Sequence, residues 1–250
     1  MPFNDIKYQP PYIPYQVYED RIVAFIDVLG FSYMVGKSAN DLARLRHLTS
    51  ALDEFHNLMW EWEGDGSYSS FAFTQFSDSI VISSLADSSD SFEMLQQVLC
   101  GIMMLASRYG ILVRGGITRG PLIHDDSLLL GPVMVEAYLL ESKCAVYPRI
   151  IIDESIKLAF DENIEHYVNN YTTFTQIPSQ DFIFNKDVDG WWYIDYIHPS
   201  DDYINLCQTV QDISDYHQDL REIIRKGLQV TAPDVRTKYQ WLESKLIAKK

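Results

Sequence analysis

Positive charge is scarce in this sequence. Its 250 residues hold 20 Lys and Arg against 35 Asp and Glu, for a formal net charge of −15. A protein that grips a nucleic-acid backbone presents a basic patch. Here the basic residues are scattered, and only Lys249-Lys250 form a terminal pair, so no nucleic-acid partner is expected. Long apolar runs are missing too. None reaches the roughly 18 residues of a membrane span, and the start, Met1-Pro2-Phe3-Asn4-Asp5, lacks the basic-then-apolar order of a secretory leader. A cytoplasmic protein with no membrane partner is the expectation. Cysteine is sparse: Cys100, Cys144 and Cys207 are odd in number, far apart and at no zinc spacing. Cys100 and Cys144 fall in apolar helical patterns and read as buried free thiols, which suits a reducing compartment. There is no Gly-x-x-x-x-Gly-Lys-[Ser/Thr] loop, so P-loop nucleotide chemistry is set aside.

What is present is a core. Apolar residues make up 47 % and aromatics 13 %, too much for a disordered chain. An acidic chain that binds a polyanion needs cations from elsewhere, and metal ions are the natural supply.

Residues 1–20, rich in Pro and Tyr, read as an extended arm or a loose tail. Arg21 to Asp27 is a short apolar run that suits a buried central strand. A helix follows over Asn40 to Trp62, with Asn40 or Ser38 as its cap and Gly64 to Gly66 as its stop. Tyr68 to Phe76 and Ser79 to Ser83 flank Ser77-Asp78 as a tight hairpin. Asp90-Ser91-Phe92-Glu93 resembles a capping box opening a helix that Gly110 closes. Ile111 to Thr118 is a buried strand, Gly131 to Cys144 a short amphipathic helix, and Ile150 to Ile152 another strand. Phe182 to Phe184 and Trp191 to Tyr196 add edge strands. Ser200 to Lys226 reads as one long helix, and Pro233 opens another that reaches about Ala248. The order predicts an α+β fold. It is a ferredoxin-like βαββαβ core over 21–198, an antiparallel sheet with helices on one face, plus a C-terminal helical extension over 199–250.

Two carboxylates are placed to converge. Asp27 ends the first strand, which such a sheet puts in its centre, beside the strand that leaves the Asp78 hairpin. Ionised carboxylates that close repel unless a cation lies between them. Two Mg²⁺ or Mn²⁺ ions would serve, with the Val28 carbonyl as an extra ligand. After Asp27 come Val28-Leu29-Gly30-Phe31. Gly30 permits a positive φ, and a helix starting there would offer amides to phosphate oxygens. Each signal alone has an ordinary structural explanation; the combination with the βαββαβ order gives it meaning. His47, His56, His217, His124-Asp125-Asp126 and Trp191-Trp192-Tyr193 have no partners at metal-ligand spacing and read as structural.

Ala24 to Ser32 resembles the first metal motif of class III adenylate and guanylate cyclases, an apolar strand running into Asp, an apolar residue, Gly and Phe. Gln75-Phe76-Ser77-Asp78-Ser79 is similar to the second. Arg114-Gly115-Gly116-Ile117-Thr118-Arg119-Gly120 resembles the Arg-apolar-Gly-Ile strand, and Gly131 to Glu141 the next helix. The resemblance spans roughly 21–155. Where that family carries an Asn and an Arg on the helix, this chain has Val135 and Leu139. Its adenine-reading Lys and Asp correspond to Thr74 and Leu128, so purine recognition of the usual kind is absent. Ala137-Tyr138-Leu139-Leu140-Glu141 followed by Tyr147-Pro148-Arg149 is similar to the pyrimidine cyclases of bacterial Pycsar anti-phage systems. The resemblance implies conversion of UTP to cyclic UMP as an antiviral second messenger. It leaves open a cytidylate cyclase, a purine cyclase and a degenerate nucleotide-binding domain. It further implies two Mn²⁺ or Mg²⁺ ions on Asp27, Val28 and Asp78, and a homodimer with shared sites that signals to a separate effector. Val28, Leu29, Gly30, Phe31 and Thr74 would contact substrate. Among Arg114, Arg119, Lys143 and Arg149, the strand-end cations Arg119 and Arg149 are expected to steady the transition state.

Overall fold

The computed structural model describes residues 17–60, 70–87, 89–170, 184–208 and 212–248. The residue 1–16 arm, Gly64 to Gly66, Tyr68, Phe182, Ile183 and Lys249-Lys250 lie outside them. The elements run β1 (Glu19–Val28), α1 (Phe31–Ser38), α2 (Leu42–Trp60), β2 (Ala72–Phe76), β3 (Ser79–Leu85), α3 (Ser89–Tyr109), β4 (Val113–His124) and β5 (Leu129–Leu130). There follow α4 (Pro132–Leu139) with a π-helical turn over Leu140–Cys144, β6 (Ile150–Ile152), α5 (Glu154–Asn170), β7 (Phe184–Lys186), β8 (Trp192–Ile194), α6 (Asp201–Cys207), α7 (Ile213–Gly227) and α8 (Pro233–Ala248).

The run before Asp27 is apolar on both sides because the strand is covered on both. Ile22, Ala24, Ile26 and Val28 enter the main core with α2 and α3, while Val23 and Phe25 face a smaller cluster with Val133 and Ala137 of α4. Helices therefore lie on both faces, not one: the short α4 crosses the second face. β1 pairs antiparallel with β3 and β4, and the strand order is β2-β3-β1-β4-β6-β8-β7, with β5 pairing β4. This is an α+β arrangement with a mainly antiparallel sheet. The exception is β6, which runs parallel to β4.

Several local expectations are corrected. Asp41, not Asn40 or Ser38, caps α2, its Oδ1 accepting the Ala43 and Arg44 N–H groups at 3.0 and 3.1 Å. The Asp90 carboxylate accepts from Ser70 N–H at 2.6 Å, tying the hairpin base to α3. The single helix expected over Ser200 to Lys226 is two, α6 and α7. Both join the main core through Tyr203, Ile204, Tyr216 and Leu220, as α8 does through Trp241 and Leu242. Cys100 is not a free thiol: it is bonded to Cys207, so α3 and α6 are cross-linked over 107 residues, while Cys144 is free. Among the described residues no helix is long and apolar enough to cross a membrane.

Candidate active site

Strand register brings the two carboxylates to one end of the sheet. Asp27 lies opposite Ser79 on β3 and Arg114 on β4. The β2–β3 turn needs only Ser77 and Asp78, with Ser77 at φ 59°. The Asp78 carbonyl then accepts the Val28 N–H at 3.0 Å, so the turn is bonded directly to the end of β1. Burial raises the Asp27 pKa above the usual carboxylate range; Arg114 opposes the shift and the charge of Asp78 adds to it. Among the described residues the Asp78 side chain has neither hydrogen bond nor ion pair.

Arg114 is the central cation. Its Nε donates to Asp27 Oδ2 at 3.2 Å, and its Nη2 lies 2.7 Å from Oε1 of Glu141. Glu141 sits on the π-helical turn after α4 with its side chain only 4 % exposed. Burial raises its pKa, Arg114 pulls it back, and Asp27 and Asp78 push it further up. Gly116 makes this approach possible: a Cβ there would lie 2.5 Å from Leu140 Cβ and 3.0 Å from the Ala137 carbonyl. On α8, Lys238 is half-buried and interacts electrostatically with Arg114, Asp27 and Glu141; burial and the Arg114 charge lower its pKa.

The segment after Asp27 behaves as its residue types require. Gly30 is left-handed at φ 77° and caps α1 through its carbonyl, with open space where a Cβ would stand. The Val28 and Leu29 amides are already bonded, to Asp78 and Leu112, and the Leu29 and Phe31 side chains pack on the core. What this loop can offer a ligand is therefore the first amides of α1 and the Val28 carbonyl.

Thr74 is on the same sheet face as Asp27, level with Phe25 through Val81. Its hydroxyl is hydrogen-bonded to His124 Nε2 at 3.0 Å; His124 Nδ1 bonds Ser83 Oγ at 2.8 Å, which also accepts from Arg21 Nε at 2.9 Å. Burial, then the Arg21 charge, lowers His124 to about 4, so its ring is neutral. Asp125 caps its own turn, accepting from Ser127 and Leu128 amides.

Neither preferred arginine is brought to Asp27. Arg119 lies opposite Ile22 and pairs with Asp20 and Asp87, five residues from Arg114 and hence roughly 17 Å along the strand. Arg149 leaves the sheet near the site end, since its carbonyl accepts from Gly115 N–H at 3.1 Å. Its side chain, however, is 0 % exposed and held by Asp187 and Asp189 among the rings of Tyr147, Tyr193 and Trp241. Being adjacent to a strand end says nothing about which way a side chain leaves, and nearby carboxylates captured both. Glu141 and Lys238 were missed. Their signals were an acid in an apolar helix and a Lys three and four residues before the buried Trp241 and Leu242.

The donor set suits a hard divalent cation. Among the described residues no group of three or more His, Cys, Asp or Glu side chains is arranged to hold a metal. Asp27 and Asp78 with a main-chain carbonyl are the sparse all-oxygen kind of site on which Mg²⁺ or Mn²⁺ binds with water and substrate phosphates completing the shell. Arg114 hydrogen-bonds Asp27 and stands in ion-pair contact with Glu141, so releasing Asp27 would leave it the Glu141 contact.

No family profile and no curated protein matches the chain. Among solved structures it is similar to the guanylyl cyclase domain of the RhoGC fusion protein from the aquatic fungus Blastocladiella emersonii, at 17 % identity over 72 % of this chain and 96 % of that one, TM-score 0.48. A rhodopsin-guanylyl cyclase catalytic core with converted specificity, in complex with ATPalphaS, gives 18 %, 71 %, 96 % and 0.45. A bacterial light-regulated adenylyl cyclase gives 14 %, 78 %, 97 % and 0.42. At such identities and scores, function has to be argued from the chain's own residues.

Proposed function

We propose that the chain is a metal-dependent nucleotidyl cyclase that converts UTP to 3′,5′-cyclic UMP and diphosphate. The observation that carries the reading is the meeting of Asp27 and Asp78 at one end of a βαββαβ sheet, beside an arginine that bonds the first of them. Two carboxylates brought to one end of the sheet repel each other, and Arg114 pairs with Asp27 alone of the two, so cations shared with Asp78 would relieve the remaining charge. Asp27, Asp78 and the Val28 carbonyl would hold two Mn²⁺ or Mg²⁺ ions. When bound, such ions lower the pKa of a ribose hydroxyl and neutralise phosphate charge.

The residues supply the rest. The first amides of α1 receive phosphate oxygens at its positive end. Arg114 turns from Asp27 toward the phosphates while Glu141 keeps its position. The ribose 3′-oxygen forms its bond to the α-phosphorus as its proton passes to solvent water, the bond to the β-phosphate oxygen breaks, and diphosphate leaves with that electron pair. Thr74, on the same face, would meet the base with a hydroxyl rather than a charged side chain, and His124 behind it is buried and bonded through both ring nitrogens. That favours a pyrimidine over the purine recognition its position serves in the resembled family, with CTP as the alternative base. Val135, Tyr138 and Leu139 of α4 and Leu130 of β5 are exposed apolar side chains beside this face. They support a homodimer in which each copy completes the other's site. In the antiviral reading, a separate effector reads the product.

Incubation of the protein with each of the four nucleoside triphosphates and Mn²⁺, with products identified by mass, tests this. Cyclic UMP is expected. Cyclic CMP or a cyclic purine would reassign the base. A second reading, a binding domain without turnover, draws on the Arg114–Asp27 ion pair and on Val135 and Leu139; nucleotide retained with no product would establish it.

A further inference from the structure

The balance of charge around Asp27 leads to the C-terminal helix. Asp27, Asp78 and Glu141 interact there, and Arg114 already serves two of them. A triphosphate adds several negative charges and needs protein cations that are not already committed. Arg119 and Arg149 are committed elsewhere. Lys238 is different. It is half-buried, and among the described residues it has no hydrogen bond and no ion pair; Asp234, one turn earlier on its own helix, attracts it first, then Asp27 and Glu141, while Arg114 repels it. A partly desolvated ammonium ordinarily takes a partner, because its lost hydration is costly unless replaced.

Its position is also fixed. Lys238 precedes Trp241 and Leu242, buried at 7 % and 0 % exposure, by three and four residues, so it shares their inward helix face. One and two turns further along, Trp241 Nε1 donates to Asp187 Oδ2 at 2.8 Å and Lys245 Nζ to Asp187 Oδ1 at 2.5 Å. The helix is anchored where it meets the core, which holds Lys238 on that inward face.

We propose that Lys238 is a substrate-binding residue whose ammonium takes phosphate oxygens of the nucleoside triphosphate, making α8 part of the active site of its own subunit. The identity of the ligand as a nucleotide rests on the cyclase reading; the phosphate contact does not require turnover.

The test uses the full chain and inorganic tripolyphosphate with Mn²⁺, titrated calorimetrically into wild type, Lys238→Gln and Lys238→Arg. Each variant is first checked for native near-ultraviolet dichroism and melting temperature. Lys238→Gln is expected to weaken tripolyphosphate about tenfold and to raise the KM for the active nucleotide comparably with a smaller change in kcat. Lys238→Arg should retain most of the affinity. If Lys238→Gln does not fold, Lys238→Met keeps the apolar stem and replaces it. Unchanged tripolyphosphate affinity in a folded variant overturns the assignment, as does a wild type that binds no tripolyphosphate. A wild type that binds it through Lys238 but cyclises no nucleotide leaves this assignment standing and removes the cyclase reading.

Discussion

At the scale of single residues, neighbours decided what each charge could do. Asp27 and Asp78 were legible in sequence because a carboxylate ending an apolar strand and another at a two-residue turn have few ways to miss each other once the strands pair. The expected outcome is that Asp27→Ala and Asp78→Ala each lower turnover by at least about a thousandfold, roughly 4 kcal/mol of transition-state stabilisation, with unchanged far-ultraviolet dichroism. Turnover near that of wild type in either would remove the metal assignment. His124 gives a second prediction. Its folded pKa, about 4, lies below the unfolded value near 6.5. The unfolded chain therefore binds the proton first, and stability falls as pH drops from 6.5 toward 4, by roughly 3 kcal/mol in total. Urea unfolding at pH 7.5 and 4.5 should show this loss in wild type and a smaller one in His124→Gln.

Among elements, the sequence disclosed those whose periodicity is strong and hid those made by partners. The hairpin, β1, α3 and its Gly110 stop, and the Pro233 start of α8 are set by local chemistry, and all stand near their expected places. The break between α6 and α7 left no proline or glycine to read; Gln208, at φ 49°, ends α6. The cage around Arg149 could not be foreseen, since Asp187, Asp189, Tyr147 and Trp241 come from three separate stretches of chain. Asp187 joins α8 to this cage. Burial alone would raise its pKa, but Lys245, Trp241, the Val188 amide and Arg149 together lower it. A depressed carboxylate contributes stability above its unfolded pKa and loses it as pH falls through the folded one, so this contribution disappears only below about pH 4. Asp187→Asn leaves Arg149 and Lys245 without their shared anion and is expected to cost about 3–5 kcal/mol in chemical denaturation at pH 7. A loss under about 1 kcal/mol would mean that α8 is held by its apolar face alone.

For the whole molecule, the α+β class was readable from element order, but not that α4 would cover the second face or that the last three helices would enter the main core. Their amphipathic stripes show that each buries a face, not against what. The bare side of α4 belongs to this scale. With Val135 57 % exposed and Tyr138 49 %, a second copy is expected to cover it. Sedimentation should show a dimer at micromolar concentration, specific activity should fall on dilution, and Val135→Glu should give a monomer of native dichroism. A wild type that is monomeric and fully active when dilute would exclude shared sites. The Trp241 ring has a consequence of another kind. It is stacked 5.5 Å from Tyr147, lies 5.7 Å from a guanidinium, and bonds a carboxylate through its N–H. An indole with opposite charges at two places on its frame has an emission energy tuned by their balance. In a variant whose other four tryptophans are replaced, the emission of Trp241 would therefore gauge, without any label, how firmly the last helix is seated.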